Sequence, residues 1–194
     1  MKAMTVAAAT AMVLLAGFGN AAPSTANQPE SLNHLTDLLA ARLATADTVA
    51  AAKWATATRD GTDPVIDDPA REAQIGDAMA TLGTAHGLPE TWVRQVFQGQ
   101  IDANKIVQHS LILEWRHNIP PTPTPAMDLT TVRPIIDQLN TEIITEMADT
   151  RAALTSPDCP THLLASVMTT ITTHHSDPLH QAALMRAATP LCGA

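Results

Sequence analysis

Arg42 and Lys53 stand eleven residues apart in the run LTDLLAARLATADTVAAAKWA, residues 35–55. Eleven residues are close to three helical turns, so on a helix the two side chains leave on one side, within roughly 20° of each other and about 16 Å apart along the axis. Leu35, Leu39, Ala46 and Val49 recur on that same side as an apolar stripe. A lone arginine at the edge of such a stripe lays its stem on the apolar surface and keeps its head in water. Two cations, with no carboxylate at i±3 or i±4 of Lys53, require another explanation, because a buried unpaired cation costs several kcal/mol. An anion should lie there. Arg71 beside Glu72, Asn104 and Gln108 at i and i+4, and Arg133 have ordinary readings one by one, as helix-end charges or solvated amides. As a set they offer cations and N–H donors, the equipment for gripping a small anion and steadying negative charge as it develops.

The elements that must position these groups are helices, since little period-two alternation suggests strands. A first helix is expected over about 31–58, followed by the turn-rich loop RDGTDPVIDD. Asp68 then reads as an N-cap with Pro69 at the first helical position, where a missing N–H costs nothing. In that frame the Asp68 carboxylate accepts the backbone N–H of Arg71 and fixes it in the first turn. This second helix should end near 83–87. Pro89 is expected to open a third, reaching about Trp115 and carrying Asn104 and Gln108 near Phe97, Ile101, Val107 and Leu111. The stretch NIPPTPTPA, 118–126, reads as an extended, stiff connector. A fourth helix is expected over about 131–154, its buried stripe being Val132, Ile136, Leu139, Ile143 and Met147. With Thr130 or Thr131 as cap, Pro134 falls in its first turn, where proline is tolerated. Two shorter helices complete the chain, from Ser156-Pro157 to about 174–175 and from the Asp177-Pro178 cap to before Pro190. The expectation is an all-α, single-domain bundle of about six helices.

Lys2, the apolar run 6–18 and the small residues at 19–22 have the pattern of a secretory signal over residues 1–22, leaving a mature domain of 23–194. The apolar run is too short to span a bilayer, and no later stretch could cross one. The mature chain should therefore be exported, periplasmic or fully secreted, and not a membrane protein. Eleven Lys and Arg against nineteen Asp and Glu set the formal charge at −8, and loss of Lys2 makes it −9. So acidic a chain is a poor partner for nucleic acid, which needs clustered cations. Cys159 and Cys192 are bound for an oxidising compartment, where pairing is the default. The terminal helical hairpin would bring them together, closing a loop of about 34 residues and contributing about 3–4 kcal/mol. His174, His175 and His180 surround a helix break without a metal-site carboxylate pattern, so no metal site is expected. No strand–turn–helix setting supports a Ser-His-Asp hydrolase.

In order, RLATADTVAAAKW, IDDPARE, VFQGQIDANKIVQHS, a Pro-rich gap, DLTTVR and a late cysteine pair resemble the secreted chorismate mutases, the gamma subclass of the all-helical AroQ type. The resemblance runs from about Leu32 to Cys192. It implies an active site within each chain, a possible homodimer, and the rearrangement of chorismate to prephenate, a step of aromatic amino acid biosynthesis, without cofactor, metal or covalent intermediate. By resemblance, Arg42 and Arg133 would clamp carboxylates, Lys53 and Gln108 would donate to the ether oxygen, and Arg71 would add positive charge. Glu72 would accept from the ring hydroxyl, and Asn104 would touch a carboxylate. Asp68 would belong with the substrate-binding group, chiefly by positioning Arg71. Some relatives carry Glu where Gln108 stands and Thr or Ser where Asn104 stands. The rival reading is a non-catalytic exported helical bundle that binds a partner and keeps the anion pocket.

Overall fold

The apolar stripe of the first segment sits at the centre of the molecule. The computed structural model describes residues 31–119 and 127–193, and α1 (Asn33–Asp60) runs through its middle. Leu35, Leu39, Ala46 and Val49 are all buried, as their spacing requires. The helix stops where Gly61 turns to φ +66° and its N–H returns to the Ala57 carbonyl, a conformation that favours glycine. The elements that follow are α2 (Pro69–Ala85), α3 (Glu90–Arg116), α4 (Leu129–Asp149), the single turn α5 (Arg151–Leu154), α6 (Cys159–Thr173), α7 (Pro178–Ala188) and a 3-10 turn (Thr189–Leu191). No strand occurs among the described residues. The all-helical fold is as expected.

Contacts define the layout. Helix α1 packs on α3, α4, α6 and α7, while α2 closes over α3 and α4, and α7 lies along α3. One apolar core draws on all these helices and includes Leu39, Phe97, Ile143, Met147, Val167 and Leu184. A smaller cluster lies further along α1, where Ala50, Ala51, Ile112 and Trp115 meet Trp54 and Ile66. The Trp54 and Trp115 rings meet edge to face at 6.0 Å. Side chains as large as these contribute about 2–3 kcal/mol each when buried. Helix α3 and the 3-10 turn after α7 come so close that a Cβ on Gly99 would lie 2.8 Å from Pro190 Cγ.

Several helix starts follow their sequence signals. Asp68 Oδ1 accepts the Arg71 N–H at 3.0 Å, and Asp177 Oδ1 accepts from Leu179 and His180 at 2.8 and 3.0 Å. Four expectations need correction. Asp128 caps α4, not Thr130 or Thr131: its Oδ1 takes the Thr131 N–H at 2.9 Å and both threonine hydroxyls. A carboxylate collects three donors at once, which neither hydroxyl can match. Pro134 therefore falls at the sixth helical position, inside the second turn, and the Thr130 carbonyl has no N–H to receive there. The fourth helix breaks at Thr150, whose hydroxyl turns back to the Glu146 carbonyl at 2.6 Å. Residues 156–158 form a turn rather than the first residues of α6.

Cys159 and Cys192 are joined, with their Cα atoms 5.8 Å apart. The bridge ties the start of α6 to the segment after α7, as the hairpin argument requires. No helix among the described residues is long and apolar enough to cross a membrane. The secretory signal assigned to 1–22 lies outside the described residues, as does most of the proline-rich connector, 120–126.

Candidate active site

Four helices and one loop enclose a cavity of about 370 Å³. Arg42 and Lys53 reach it from α1, Asp68, Arg71 and Glu72 from the start of α2, Asn104 and Gln108 from α3, and Arg133 from α4. All eight residues singled out for chemistry line this one space. Residues 62–66 of the α1–α2 loop form a further wall, with Val49, Ile75, Ile101 and Ile136 as apolar sides.

Arg42 is the deepest cation, 3% exposed. Its Nε donates to Asn140 Oδ1 at 2.6 Å and its Nη1 to the Gln100 carbonyl at 3.1 Å. These are neutral acceptors, and Nη2 has no protein partner among the described residues. Burial pushes its pKa down to about 10, against a smaller opposing pull from Asp137. The guanidinium is still charged at neutral pH, and that charge is held at a desolvation cost which an incoming carboxylate would offset.

Lys53 is half-buried and donates to the Ile66 carbonyl at 3.3 Å. Burial lowers its pKa; Asp68 opposes the shift, and Arg133 adds to it. The carboxylates nearest in effect thus come from the α1–α2 loop and α2, not from its own helix. Arg71 lies 3.6 Å from Asp137 of α4. Arg133 is exposed at the rim.

The α3 amides form a short chain. Gln108 Nε2 donates to Asn104 Oδ1 at 3.3 Å, and Asn104 Nδ2 reaches the Arg42 carbonyl at 3.4 Å. One N–H of Gln108 is left over. Gln108 Oε1 is the one buried side-chain N or O atom among the described residues without a partner. A buried amide oxygen left unpaired costs about 1–3 kcal/mol, which a ligand donor could relieve. Glu72 Oε1 accepts from Lys105 at 3.0 Å, leaving Oε2 without a hydrogen bond among the described residues.

Some participants carried no recognisable signal in the sequence. Asn140 and the Gln100 carbonyl hold Arg42 from residues far along the chain. Gln100 in turn ties α3 to α7 through its Nε2 and the Ala187 carbonyl, at 3.1 Å. Asp137 stands four residues after Arg133 on α4, a spacing that could have drawn attention to it. Lys105 lies between Asn104 and Gln108, where a lysine on a helix is unremarkable in sequence. The three histidines at the helix break serve elsewhere. His180 bridges Asp47 and Asp177 at 2.9 and 2.7 Å, His174 lies 3.4 Å from Asp37, and His175 adopts φ +50° in the turn.

Known proteins resemble this chain over most of its length. The family model described as chorismate mutase type II matches residues 33–109, a span that holds every cavity residue named above except Arg133 and those of α4. A secreted chorismate mutase of Mycolicibacterium smegmatis is 36% identical over 185 residues, covering 95% of this chain and 98% of that protein. A secreted chorismate mutase of Mycobacterium tuberculosis is 30% identical over 169 residues, 87% of this chain and 82% of that protein. Among solved structures, a chorismate mutase from Burkholderia phymatum is 32% identical and superposes with a TM-score of 0.75, covering 84% of this chain and 96% of that one.

Proposed function

The chain belongs to the chorismate mutase family, and from that premise we infer an exported chorismate mutase that gathers its dianionic substrate in the cavity between α1, α2, α3 and α4. The observation that carries this reading is the convergence of cationic side chains from four helices on one space, with Arg42 buried against neutral acceptors only.

Chorismate must fold into a chair before its bonds shift. As the C–O bond breaks, negative charge gathers on the ether oxygen. Arg42 and Arg133 would hold the two carboxylates, since a guanidinium meets a carboxylate with paired N–H donors. Holding both ends makes the reactive fold common, which supplies part of the barrier reduction. Lys53 has two N–H groups beyond the one given to Ile66, and Gln108 has one beyond that given to Asn104. Both would donate to the ether oxygen, favouring the transition state over the ground state. Glu72 Oε2 would accept from the ring hydroxyl. Arg71 would raise the local positive potential, and Asp68 would keep it in place through its backbone N–H. Asn104 would meet a carboxylate while its oxygen orients Gln108.

Residues 1–22 would act as the export signal and 23–194 as the catalytic domain. The family resemblance also implies a homodimer, for which light scattering should return twice the mass of the mature chain.

The deciding experiment mixes purified mature protein with chorismate and follows the decay of substrate absorbance, with Lys53→Ala measured beside it. Turnover by the wild type and loss in the variant is expected. Saturable binding without turnover would favour the non-catalytic bundle and sink this reading.

A further inference from the structure

Among the described residues five cations line the cavity, and the roles assigned above leave Lys105 unused. Its side chain is 24% exposed, and its ammonium pairs with Asp67 Oδ1 at 2.6 Å and with Glu72 Oε1 at 3.0 Å. A single rim ion pair would contribute little. Here one ammonium joins two things the reaction needs. Asp67 lies near the end of the strap of residues 61–68, whose residues 62–66 wall the cavity, and it directly follows Ile66. The Ile66 carbonyl receives Lys53 Nζ at 3.3 Å, and the Ile66 side chain packs on the Trp115 cluster. His109 lies 3.4 Å from the other oxygen of Asp67, and Arg116 holds Asp63 at 2.7 Å further up the strap. The outer face of α3 thus staples the strap at both ends. Lys105 is the staple nearest the chemistry. The two carboxylates hold its ammonium above the usual lysine range.

We propose that Lys105 is a positioning residue for the rearrangement: it fixes the strap end whose Ile66 carbonyl aims Lys53, and it orients Glu72 toward the ring hydroxyl. The inference rests on the chorismate mutase reading. It adds a residue that acts through Lys53 and Glu72 without touching substrate.

The test is Lys105→Met, which keeps the methylene stem and removes the charge, beside Lys105→Arg, Asp67→Asn and the double variant Lys105→Met/Asp67→Asn. The expected result is a fall in kcat of about tenfold with KM within about threefold, largely restored in Lys105→Arg. Because Lys105 works partly through Asp67, adding Asp67→Asn to Lys105→Met should cost less than about twofold more. Hydrogen exchange of the strap amides should rise in Lys105→Met while that of central α1 stays unchanged. Wild-type kcat in Lys105→Met, fully additive losses, or unchanged strap exchange would each overturn the proposal. If Lys105→Met does not fold, Asp67→Asn alone must loosen the strap and lower kcat. A wild type that fails to turn over chorismate defeats the functional reading instead, and strap exchange then still decides whether Lys105 is the staple.

Discussion

Replacing Lys53 by alanine removes one ammonium from the place where negative charge is taken to gather. Two full charges about 3 Å apart at an effective dielectric of about 20 interact by about 5.5 kcal/mol. If the ether oxygen gains half a charge between ground and transition states, the ammonium's differential contribution is about 2.8 kcal/mol. That is about a hundredfold in kcat. It falls in the range measured when a single oxyanion donor is removed from other enzymes. The half-buried setting of Lys53 and its depressed pKa place it in a desolvated wall, so screening by water should not erase the effect. Initial rates of chorismate disappearance over a range of concentrations separate kcat from KM, and a thermal melt checks that the variant folds. The variant also loses the bond to the Ile66 carbonyl, so Lys53→Gln, which keeps a donor of similar reach, should recover part of the lost rate. A large rise in KM with kcat intact would mean that Lys53 binds ground and transition states equally, and the assigned role would be wrong.

Because Gln108 donates without titrating, kcat should be nearly flat from about pH 5.5 to 7.5. It should fall in the alkaline range at a lower pH than a free lysine would suggest, since burial lowers the Lys53 pKa; a steep loss between mildly acidic and neutral pH would refute this. Reducing the Cys159–Cys192 bridge, or replacing both cysteines by serine, should lower Tm by roughly 10 °C, because the bridge closes a long loop in the unfolded chain. The rate at low temperature should stay within about twofold, as neither cysteine lines the cavity. His180 is held between Asp47 and Asp177, which raise its pKa to about 9 despite burial. A raised pKa gives stability that is full below the unfolded value of about 6.5 and is lost as pH climbs through 9. His180→Gln should therefore melt roughly 4 °C lower than wild type at about pH 6 and show little difference near pH 10, by calorimetry at both pH values.

The parts of the site legible in the sequence were those whose geometry is local. Helical period alone puts Arg42 and Lys53 on one side. The Asp68-Pro69 start alone fixes Arg71, because an N-cap carboxylate reaches only two or three residues ahead. The cysteine pair followed from two antiparallel helices of similar length. What stayed hidden depends on contacts across the fold. Asn140 meets Arg42 across 98 residues, and Lys105 meets Glu72 across 33; no periodicity encodes either. The start of α4 was ambiguous for a different reason. The run Asp-Leu-Thr-Thr offers three capping side chains in four positions, and the choice falls to whichever collects the most donors. Thr150 hid the break after α4 in the same way, since a threonine hydroxyl can accompany a helix or compete with it.

The scattered origin of the cavity wall carries a further consequence. Its cations come from four helices spread along the chain, so the denatured polymer has no corresponding affinity. Substrate and product are then folding ligands as well as reactants. At a free concentration a hundred times its dissociation constant, either would deepen the native well by about 2.7 kcal/mol. Scarcity of the dianion would leave the exported chain more often open to proteases, linking its lifetime to the supply of the compound it consumes.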